Sequence, residues 1–207
     1  MTVKVLNHPL INVLMTNLRS KETSSFEFRY TAKKISSLMA YEIFKDLKIE
    51  QKKIDTPLDN FSGAKVQDPK PCVISILRAG LIISDGITDI FDDVSIGHIG
   101  MYRDEKTLSP VNYLIKLPSN LQNRQCFLCD PMLATGGSAI SSLETLKQNN
   151  ASDITLICLL ASEEGIKNVK ENFSDVTIIC AQKDNDLNEK GFIVPGLGDA
   201  GDRIFDT

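Results

Sequence analysis

From residue 71 onward, the chain alternates short apolar runs with segments whose apolar residues recur at helical spacing. The apolar runs lie at 72–77, 94–101, 125–129, 154–160 and 176–180, and the helical segments lie at 81–91, 138–148 and 164–171. Runs that are apolar throughout and rich in Val and Ile indicate strands buried on both faces. The alternation therefore predicts an α/β fold with a parallel central sheet flanked by helices. In such sheets ligands bind at the carboxyl ends of the strands.

The first fifty residues predict two helices. Leu10, Leu14 and Leu18 recur every four residues, and a second apolar stripe runs from residue 35 to residue 43. Ser24 followed by Glu27 has the spacing of a capping box, which predicts that the second helix begins there.

Residues 51–70 are polar, contain two prolines and a glycine, and favour a β-arm or hairpin. No repeat or long linker divides the chain, so we expect a single domain over 1–207. It would consist of N-terminal helices (1–50), the arm (51–70), and an α/β core with a C-terminal segment (71–207).

The composition excludes several classes of protein. With 207 residues, 42% apolar and 24% charged, the chain is typical of a globular protein. Its net charge of -4 shows no bias toward nucleic acid, so an anionic ligand needs a local cluster of positive groups or a bridging metal. No apolar stretch approaches the roughly 20 residues that span a bilayer, and residues 1–20 lack the pattern of a signal peptide. We therefore expect a cytoplasmic protein with no membrane partner.

Five scattered cysteines predict reduced thiols in the core. Cys126 and Cys129 form a C-x-x-C, the spacing of some zinc and redox sites. They lie in a predicted strand, where positions three apart face opposite sides. No second cysteine pair follows, and His8 and His98 are the only histidines. The core interpretation is therefore favoured over a metal or redox site.

The loop after the run 125–129 has the features of a phosphate site. It leaves a buried strand and opens a helix through the sequence Asp130-Pro131-Met132-Leu133-Ala134-Thr135-Gly136-Gly137-Ser138. Glycines let successive N–H groups converge, and the helix N-terminus adds partial positive charge. No Lys follows the glycines, which excludes a Walker loop. Asp130 lies where a carboxylate can accept hydrogen bonds from vicinal sugar hydroxyls. A turn with a capping Ser is the alternative.

A G-x-G-x-x-G occurs at 196–201, close to the C-terminus. As a dinucleotide fingerprint it fails, since that motif needs a following helix and only six residues remain after Gly201. We interpret it as a tight loop after a short strand at 192–194, with amides exposed for recognition. A purely structural C-terminal turn is the alternative.

Together with two other segments, these loops resemble the uracil phosphoribosyltransferases over essentially the whole chain. The matching segments are Ile76-Leu77-Arg78-Ala79-Gly80-Leu81, the stretch 98–108, the phosphate loop, and Ile193-Val194-Pro195-Gly196-Leu197-Gly198-Asp199-Ala200-Gly201-Asp202-Arg203. The last is highly specific to the family, whereas the phosphate loop occurs in phosphoribosyltransferases for other bases. The chain departs from the family pattern at Ser75, Ile82, Ile83, Leu114, Glu163 and Asp206.

The resemblance implies a type I phosphoribosyltransferase-like fold and a pentosyltransferase of pyrimidine salvage. Such an enzyme converts uracil and 5-phosphoribosyl diphosphate (PRPP) to UMP and diphosphate, usually with Mg²⁺. The implied catalytic residues are Arg78, Arg103 and Asp130. The PRPP site adds Pro131, Met132, Leu133, Ala134, Thr135, Gly136, Gly137, Ser138 and Asp199. We assign no dedicated metal ligand, because Mg²⁺ binds mostly through PRPP and water.

Within this frame the two arginines suit the diphosphate, since a guanidinium donates two hydrogen bonds to one phosphate. The resemblance places uracil at Ile193, Gly198, Asp199 and Ala200, read by main-chain groups. A backbone N–H facing the O4 of uracil would meet a donor on cytosine, which predicts strong discrimination. The polar stretch 104–110 is interpreted as a lid over the substrate or as a plain surface hairpin.

Three other functions compete. An RNA-binding regulator needs a basic face, but this chain is acidic with a pI near 5.3. The uracil-type C-terminal segment argues against a transferase for purine bases. A degenerate nucleotide-binding subunit is disfavoured because the chain retains Arg78, Arg103, Asp130 and Asp199. Relatives assemble as oligomers, so we expect a dimer or tetramer, with GTP as a candidate allosteric effector.

Overall fold

The computed structural model describes residues 2–103 and 110–207. Its strands are β1 (Val3–Val5), β2 (Ile49–Asp55), β3 (Asn60–Val66), β4 (Cys72–Leu77), β5 (Ser95–Arg103), β6 (Pro110–Lys116), β7 (Gln125–Cys129), β8 (Met132–Leu133), β9 (Asp153–Ser162), β10 (Thr177–Asp184), β11 (Asp186–Leu187) and β12 (Ile193–Val194). Its α-helices are α1 (Pro9–Arg19), α2 (Ser25–Ile43), α3 (Leu81–Thr88), α4 (Gly137–Gln148), α5 (Glu163–Asn172) and α6 (Ala200–Phe205).

A mainly parallel sheet forms the centre of the molecule, as the alternating pattern predicted. Its strand order is β1-β10-β9-β7-β4-β5-β6, and the short β8 pairs with the far end of β9. In this spatial order, every pair of neighbouring strands from β1 through β10, β9, β7 and β4 to β5 is parallel. Strand β6 runs antiparallel to β5. The carboxyl ends of β4 and β7 therefore lie side by side at one edge of the sheet.

Each face of the sheet has its own hydrophobic core. Buried side chains of α1, α2, α3 and α6 cover one face, and those of α4 and α5 cover the other. The apolar strand β9 contributes to both cores, since Ile157 belongs to the first and Leu156 to the second. A strand covered on both sides cannot alternate polar and apolar residues, which is why the sequence signal is a continuous run.

The N-terminal helices follow their local signals. Helix α2 begins at the predicted capping box, in which the Ser24 hydroxyl accepts from the Glu27 N–H and the Glu27 carboxylate accepts from the Ser24 N–H. Helix α1 begins at Pro9, with His8 Nδ1 accepting from the Leu10 N–H at 3.2 Å. The predicted β-arm is the antiparallel hairpin β2–β3, which lies in a separate two-stranded sheet.

The sequence did not predict four strands, namely β1, β6 and the two-residue strands β8 and β11. Strand β1 pairs with β10 over only three residues, too few to show a pattern. Strand β6 begins at Pro110 and forms an edge of the sheet, where a proline at the first position loses no ladder hydrogen bond.

The helix predicted over 81–91 ends at Thr88. Acidic side chains at Asp89, Asp92 and Asp93 oppose the helix dipole at that end.

The C-terminal motif corrects one expectation. A helix does follow Gly196 and Gly198, namely the six-residue α6, whose first two residues, Ala200 and Gly201, lie inside the motif. The interpretation as a tight loop holds, because Gly196 and Gly198 have φ values of 64° and 81°.

The cysteines are buried, as predicted. Cys126 faces the core under α4 and α5, and Cys129 faces the core under α2 and α3. The two thiols of the C-x-x-C therefore point to opposite sides of the sheet, and the Sγ of Cys126 lies 3.5 Å from that of Cys72. In the described ranges no helix is long and apolar enough to cross a bilayer.

Candidate active site

A cavity of about 590 Å³ lies at the carboxyl ends of β4, β5 and β7. Its wall on one side is the loop between β8 and α4, and on the other the segment that joins β12 to α6. The residues that line it are Leu77, Arg78, Ala79, Met101, Asp130, Pro131, Met132, Ala134, Ser138, Lys190, Gly191, Phe192, Ile193, Gly198, Asp199, Ala200, Gly201 and Asp202. The structure thus brings the predicted phosphate loop and the predicted base segment to one space.

The phosphate loop, residues 134–138, turns at Gly136, whose φ of 87° favours glycine. Gly136 is also the N-cap of α4 and supplies no capping side chain, so the first N–H groups of the helix stay available to a ligand. Ala134 and Ser138 line the cavity, and Thr135 and Gly137 line an adjoining pocket with Arg78. Of the predicted PRPP residues, Leu133 instead points into the core and Gly136 packs against α5.

Helix α5 and its N-cap residue, Ser162, hold the phosphate loop from behind. The Ser162 hydroxyl donates to the Ala134 carbonyl at 2.6 Å, and the Asn168 amide donates to the Thr135 carbonyl at 2.9 Å. A Cβ at Gly165 would lie 2.3 Å from the Ala134 oxygen, so only glycine allows this approach. With its carbonyls bound to α5, the loop presents its N–H side to the cavity.

Asp130 directly follows β7 and reaches the cavity from its floor. Burial raises the pKa of this carboxyl to about 7, although a hydrogen bond from the Met132 N–H favours the charged form. A carboxyl with a pKa near neutrality either accepts or donates a hydrogen bond according to pH. The position suits contact with hydroxyls rather than with phosphate.

Arg78 directly follows β4, and its exposed side chain lines both the cavity and the adjoining pocket. Its guanidinium lies 4.9 Å from the centroid of the Phe205 ring in α6. The turn after β4 packs closely on the end of β7, because a Cβ at Gly80 would lie 2.3 Å from the Cys129 oxygen. This packing brings Arg78 and Asp130 to the same cavity.

Arg103 is the last residue of β5, in register with Pro110 of β6. Since β5 runs beside β4, this places its backbone at the same edge of the sheet as Arg78; its side chain lies outside the described residues. The lid expected over 104–110 likewise falls on residues that the structure does not describe, apart from the backbone of Pro110.

The predicted base residues lie together on the opposite wall. Ile193 and Ala200 are buried there, while Gly198 and Asp199 are exposed to the cavity. Asp199 is also the N-cap of α6, with Oδ1 accepting from the Asp202 N–H at 3.0 Å. One oxygen of this carboxylate is thereby engaged in capping, and the other is available to a ligand.

Sequence reasoning missed the turn between β11 and β12. Lys190, Gly191 and Phe192 from this turn line the cavity, and a Cβ at Gly191 would lie 3.4 Å from the Thr135 methyl group. The turn thus closes the cavity beside the phosphate loop. Its sequence signal, a glycine in a polar stretch, indicates a turn but not where the turn packs.

Comparison with known proteins covers almost all of the chain. A family model described as uracil phosphoribosyltransferase matches residues 5–207. The chain is 47% identical over 204 residues to a uracil phosphoribosyltransferase of Levilactobacillus brevis, covering 99% of this chain and 98% of that protein. It is 48% identical over 206 residues to the one from Lactococcus lactis subsp. cremoris, with the same coverage.

Solved structures agree on the fold. A protein from Aquifex aeolicus superposes with a TM-score of 0.93 at 33% identity, covering 99% of this chain and 98% of that one. A hypoxanthine-guanine phosphoribosyltransferase from Bacillus anthracis superposes with a TM-score of 0.53 at 12% identity, covering 77% and 80% of the two chains. This second likeness concerns the type I phosphoribosyltransferase fold alone.

Proposed function

The chain belongs to the uracil phosphoribosyltransferase family, and from that premise we propose that its cavity holds PRPP and uracil against opposite walls. The reaction is the transfer of a phosphoribosyl group to uracil, which yields UMP and diphosphate. Displacement of diphosphate builds positive charge on the ribose and negative charge on the leaving group. An effective site must therefore hold the 5-phosphate, the sugar and the diphosphate separately.

The 5-phosphate is assigned to the loop 134–138. Support comes from the uncapped first turn of α4 and from the two carbonyls that α5 holds away from the cavity. Converging N–H groups at a helix N-terminus bind a phosphate without a charged side chain. The volume of about 590 Å³ is within the range of roughly 300–1,000 Å³ typical of small-molecule sites.

Asp130 is assigned to the ribose hydroxyls, and Arg78 and Arg103 to the diphosphate. Arg78 is supported by its place beside Asp130 in the cavity, and Arg103 by the position of its backbone at the end of β5. Guanidinium groups stabilise the charge that collects on the leaving group, so their effect is larger in the transition state than in the ground state.

The base is assigned to Ile193, Gly198, Asp199 and Ala200. Main-chain donors and acceptors in a loop of fixed shape distinguish uracil from cytosine, because the wrong base would leave buried donors facing each other. Sites of this kind discriminate by about 10⁴ or more. Asp199, at the end of this wall, is also assigned to the ribose or to water around a metal ion.

Mg²⁺ fits the acidic residues of the cavity only as an ion shared with substrate. Asp130 and Asp199 both line the cavity, but no cluster of three metal-binding side chains occurs within residues 2–103 and 110–207. Magnesium commonly binds through one or two carboxylates together with substrate phosphates and water. Asp130 and Asp199 would hold it together with substrate and water, and it would supply positive charge that stabilises the diphosphate as it leaves.

The observation that carries this proposal is the pair of glycine loops on opposite walls of one cavity, with Arg78 and Asp130 between them. A crystal soaked with UMP tests it directly. We expect the phosphate at residues 134–138 and the base beside Gly198 and Ala200. A nucleotide bound elsewhere, with both loops empty, would overturn the assignment. Diphosphate release measured with each base, with and without Mg²⁺, tests base choice and metal use together.

We also propose a cytoplasmic homo-oligomer, a dimer or tetramer, in which the hairpin β2–β3 contributes contacts. Ile49, Ile54 and Phe61 expose large apolar side chains on this hairpin. Sedimentation of the full chain tests the oligomeric state, and only a monomer at micromolar concentration contradicts it. GTP is proposed as an effector, and the initial rate at fixed PRPP with and without GTP tests that role.

A further inference from the structure

Gly196, at the start of the base-binding wall, has both of its main-chain polar groups bound by distant side chains. Its N–H donates to Asp184 Oδ2 at 2.9 Å, and its carbonyl accepts from Arg19 Nη1 at 2.9 Å. A Cβ at this position would lie 2.0 Å from the Ile193 oxygen, so the residue must be glycine. The loop therefore gains its shape from groups outside itself.

Arg19 and Asp184 bind each other as a fork. Nη1 lies 2.7 Å from Oδ2 and Nη2 lies 2.8 Å from Oδ1, and the Nε of Arg19 also donates to Gln182 at 3.0 Å. The two side chains are only 20% and 10% exposed. A shielded bidentate pair fixes direction as well as distance, which a single exposed ion pair does not.

Asp184 remains charged at neutral pH. Burial alone would raise its pKa, but the hydrogen bonds from Arg19 and from the Gly196 N–H outweigh burial and hold the pKa below the ordinary value. The pair therefore joins the end of α1, the end of β10 and the base loop through charge-assisted hydrogen bonds at any pH near 7.

A second guanidinium holds the next residue. Arg203 donates to the carbonyls of Leu197 at 2.7 Å, Leu18 at 2.8 Å and Ser20 at 2.6 Å, and it lies 4.3 Å from the centroid of the Phe28 ring. The carbonyls of Gly196 and Leu197 are thus both directed away from the cavity. The residues that follow, Gly198, Asp199 and Ala200, line the cavity.

We propose that Arg19 and Asp184 are positioning residues for pyrimidine recognition, which fix Gly196 so that Gly198, Asp199 and Ala200 meet the base without rearrangement. This inference rests on the proposed base site. A loop without the pair must be ordered each time the base binds, which weakens binding, and its donors can shift to accommodate the wrong base. The pair does not contact the phosphate loop, and the Asp199 carboxylate, which is also assigned to the ribose, is held separately by capping α6. Use of PRPP should therefore change little.

The test compares Arg19→Lys and Asp184→Asn with the control Lys183→Gln. Lys keeps the charge at position 19 but cannot form the fork. Lys183 lies next to Asp184 in β10 and makes an exposed ion pair with Glu163, so its replacement perturbs the same strand and not the base loop. KM for uracil, KM for PRPP and the ratio of kcat/KM for uracil over cytosine are measured for each variant.

We expect KM for uracil to rise about tenfold in Arg19→Lys, with KM for PRPP within twofold and the uracil preference reduced about tenfold. The control should match the unmodified enzyme in all three. Unchanged uracil kinetics in Arg19→Lys, or equal increases in both KM values, would overturn the inference. If Asp184→Asn fails to fold, the kinetic constants of Arg19→Lys alone test the inference.

One more variant separates this inference from the base site on which it rests. Ala200 is 4% exposed and lines the cavity, so Ala200→Val should obstruct the base directly. If Ala200→Val abolishes uracil use and Arg19→Lys leaves it unchanged, the positioning role fails and the base site stands. If Ala200→Val leaves uracil use unchanged, the placement of the base is itself wrong.

Discussion

The two walls of the cavity solve the same problem with different physical means. Each is a glycine loop between a strand and a helix, with a left-handed φ at Gly136 in one and at Gly196 and Gly198 in the other. The phosphate loop is held by uncharged groups of Ser162 and Asn168, the first the N-cap of α5 and the second within that helix. The base loop is held by guanidinium groups, one of which belongs to α1 at the other end of the sequence.

We attribute the difference to what each wall is proposed to bind. A phosphate carries about two negative charges. The N–H groups of a helix N-terminus bind it, provided that the carbonyls of the loop stay directed away from it. An uncharged base is recognised by the direction of its hydrogen bonds. Its loop therefore needs firmer external support, and charge-assisted bonds supply it.

Arg78→Ala should have the largest effect, because Arg78 lies between the two walls and neither can replace its charge. We expect kcat to fall by about 10²–10³-fold, as expected for loss of one group that stabilises transition-state charge. Thermal unfolding should change little, since the side chain is exposed. Lys21→Ala, which removes a side chain 92% exposed, is the control. Turnover within twofold of the control would remove Arg78 from the mechanism.

Asp130 should make use of PRPP pH-dependent. Its pKa of about 7 means that the charged form, which accepts hydrogen bonds from ribose, increases as pH rises through neutrality. We expect kcat/KM for PRPP to rise about tenfold per unit below that pH and to level off above it. Asp130→Asn should lower this value, flatten the dependence and leave the uracil preference intact. A changed base preference would contradict the division between the walls.

Raising the pH should increase the activity that depends on the Asp130 carboxylate but decrease the stability of the folded protein. The folded state holds the proton up to about pH 7, whereas the unfolded chain releases it near 3.8, so burial of Asp130 costs stability progressively between those values. Asp130→Asn should therefore be more stable than the unmodified protein at pH 8, by at most about 4 kcal/mol, and not at pH 4. Urea unfolding at the two pH values measures this, and an equal difference at both would contradict it.

Asn168→Ala should weaken the phosphate wall alone. Loss of the hydrogen bond to the Thr135 carbonyl, worth about 1 kcal/mol, should raise KM for PRPP about fivefold to tenfold and leave KM for uracil unchanged. This is the mirror image of the pattern expected for Arg19→Lys. Asn172→Ala, one turn further along α5 on an exposed side chain, is the matched control. An increase in KM for uracil would show that the walls are coupled.

Ser24→Ala should have the smallest effect on catalysis. It removes the capping box of α2 and should cost about 1 kcal/mol of stability, measured by urea unfolding. Among the described residues, none of those that line the cavity belongs to helix α2, so both KM values should stay within twofold. A selective rise in KM for uracil would mean that the base wall depends on the whole N-terminal region and not on Arg19 and Asp184 alone.

Much of this protein follows from local sequence. The parallel sheet follows from continuous apolar runs, helix α2 from the capping box at Ser24, and the phosphate loop from glycines between a buried strand and a helix. These features could be predicted because the groups that create them lie within a few residues of each other. The family was recognisable for the same reason, since the segments that carry the resemblance are short and contiguous.

The supports of the two loops could not be predicted. Nothing around Arg19 indicates that it binds Gly196, 177 positions along the chain. Nothing around Asn168 or Lys190 indicates a place beside the phosphate loop. The strand β6 was missed because an edge strand that begins with proline shows little pattern of its own. Hydrogen bonds and packing between distant segments depend on the order of strands in the sheet and on the placement of the helices. The local sequence pattern does not indicate either. The sequence alone thus determined which loops are candidates for binding phosphate and base, and the tertiary structure decided how firmly each is held.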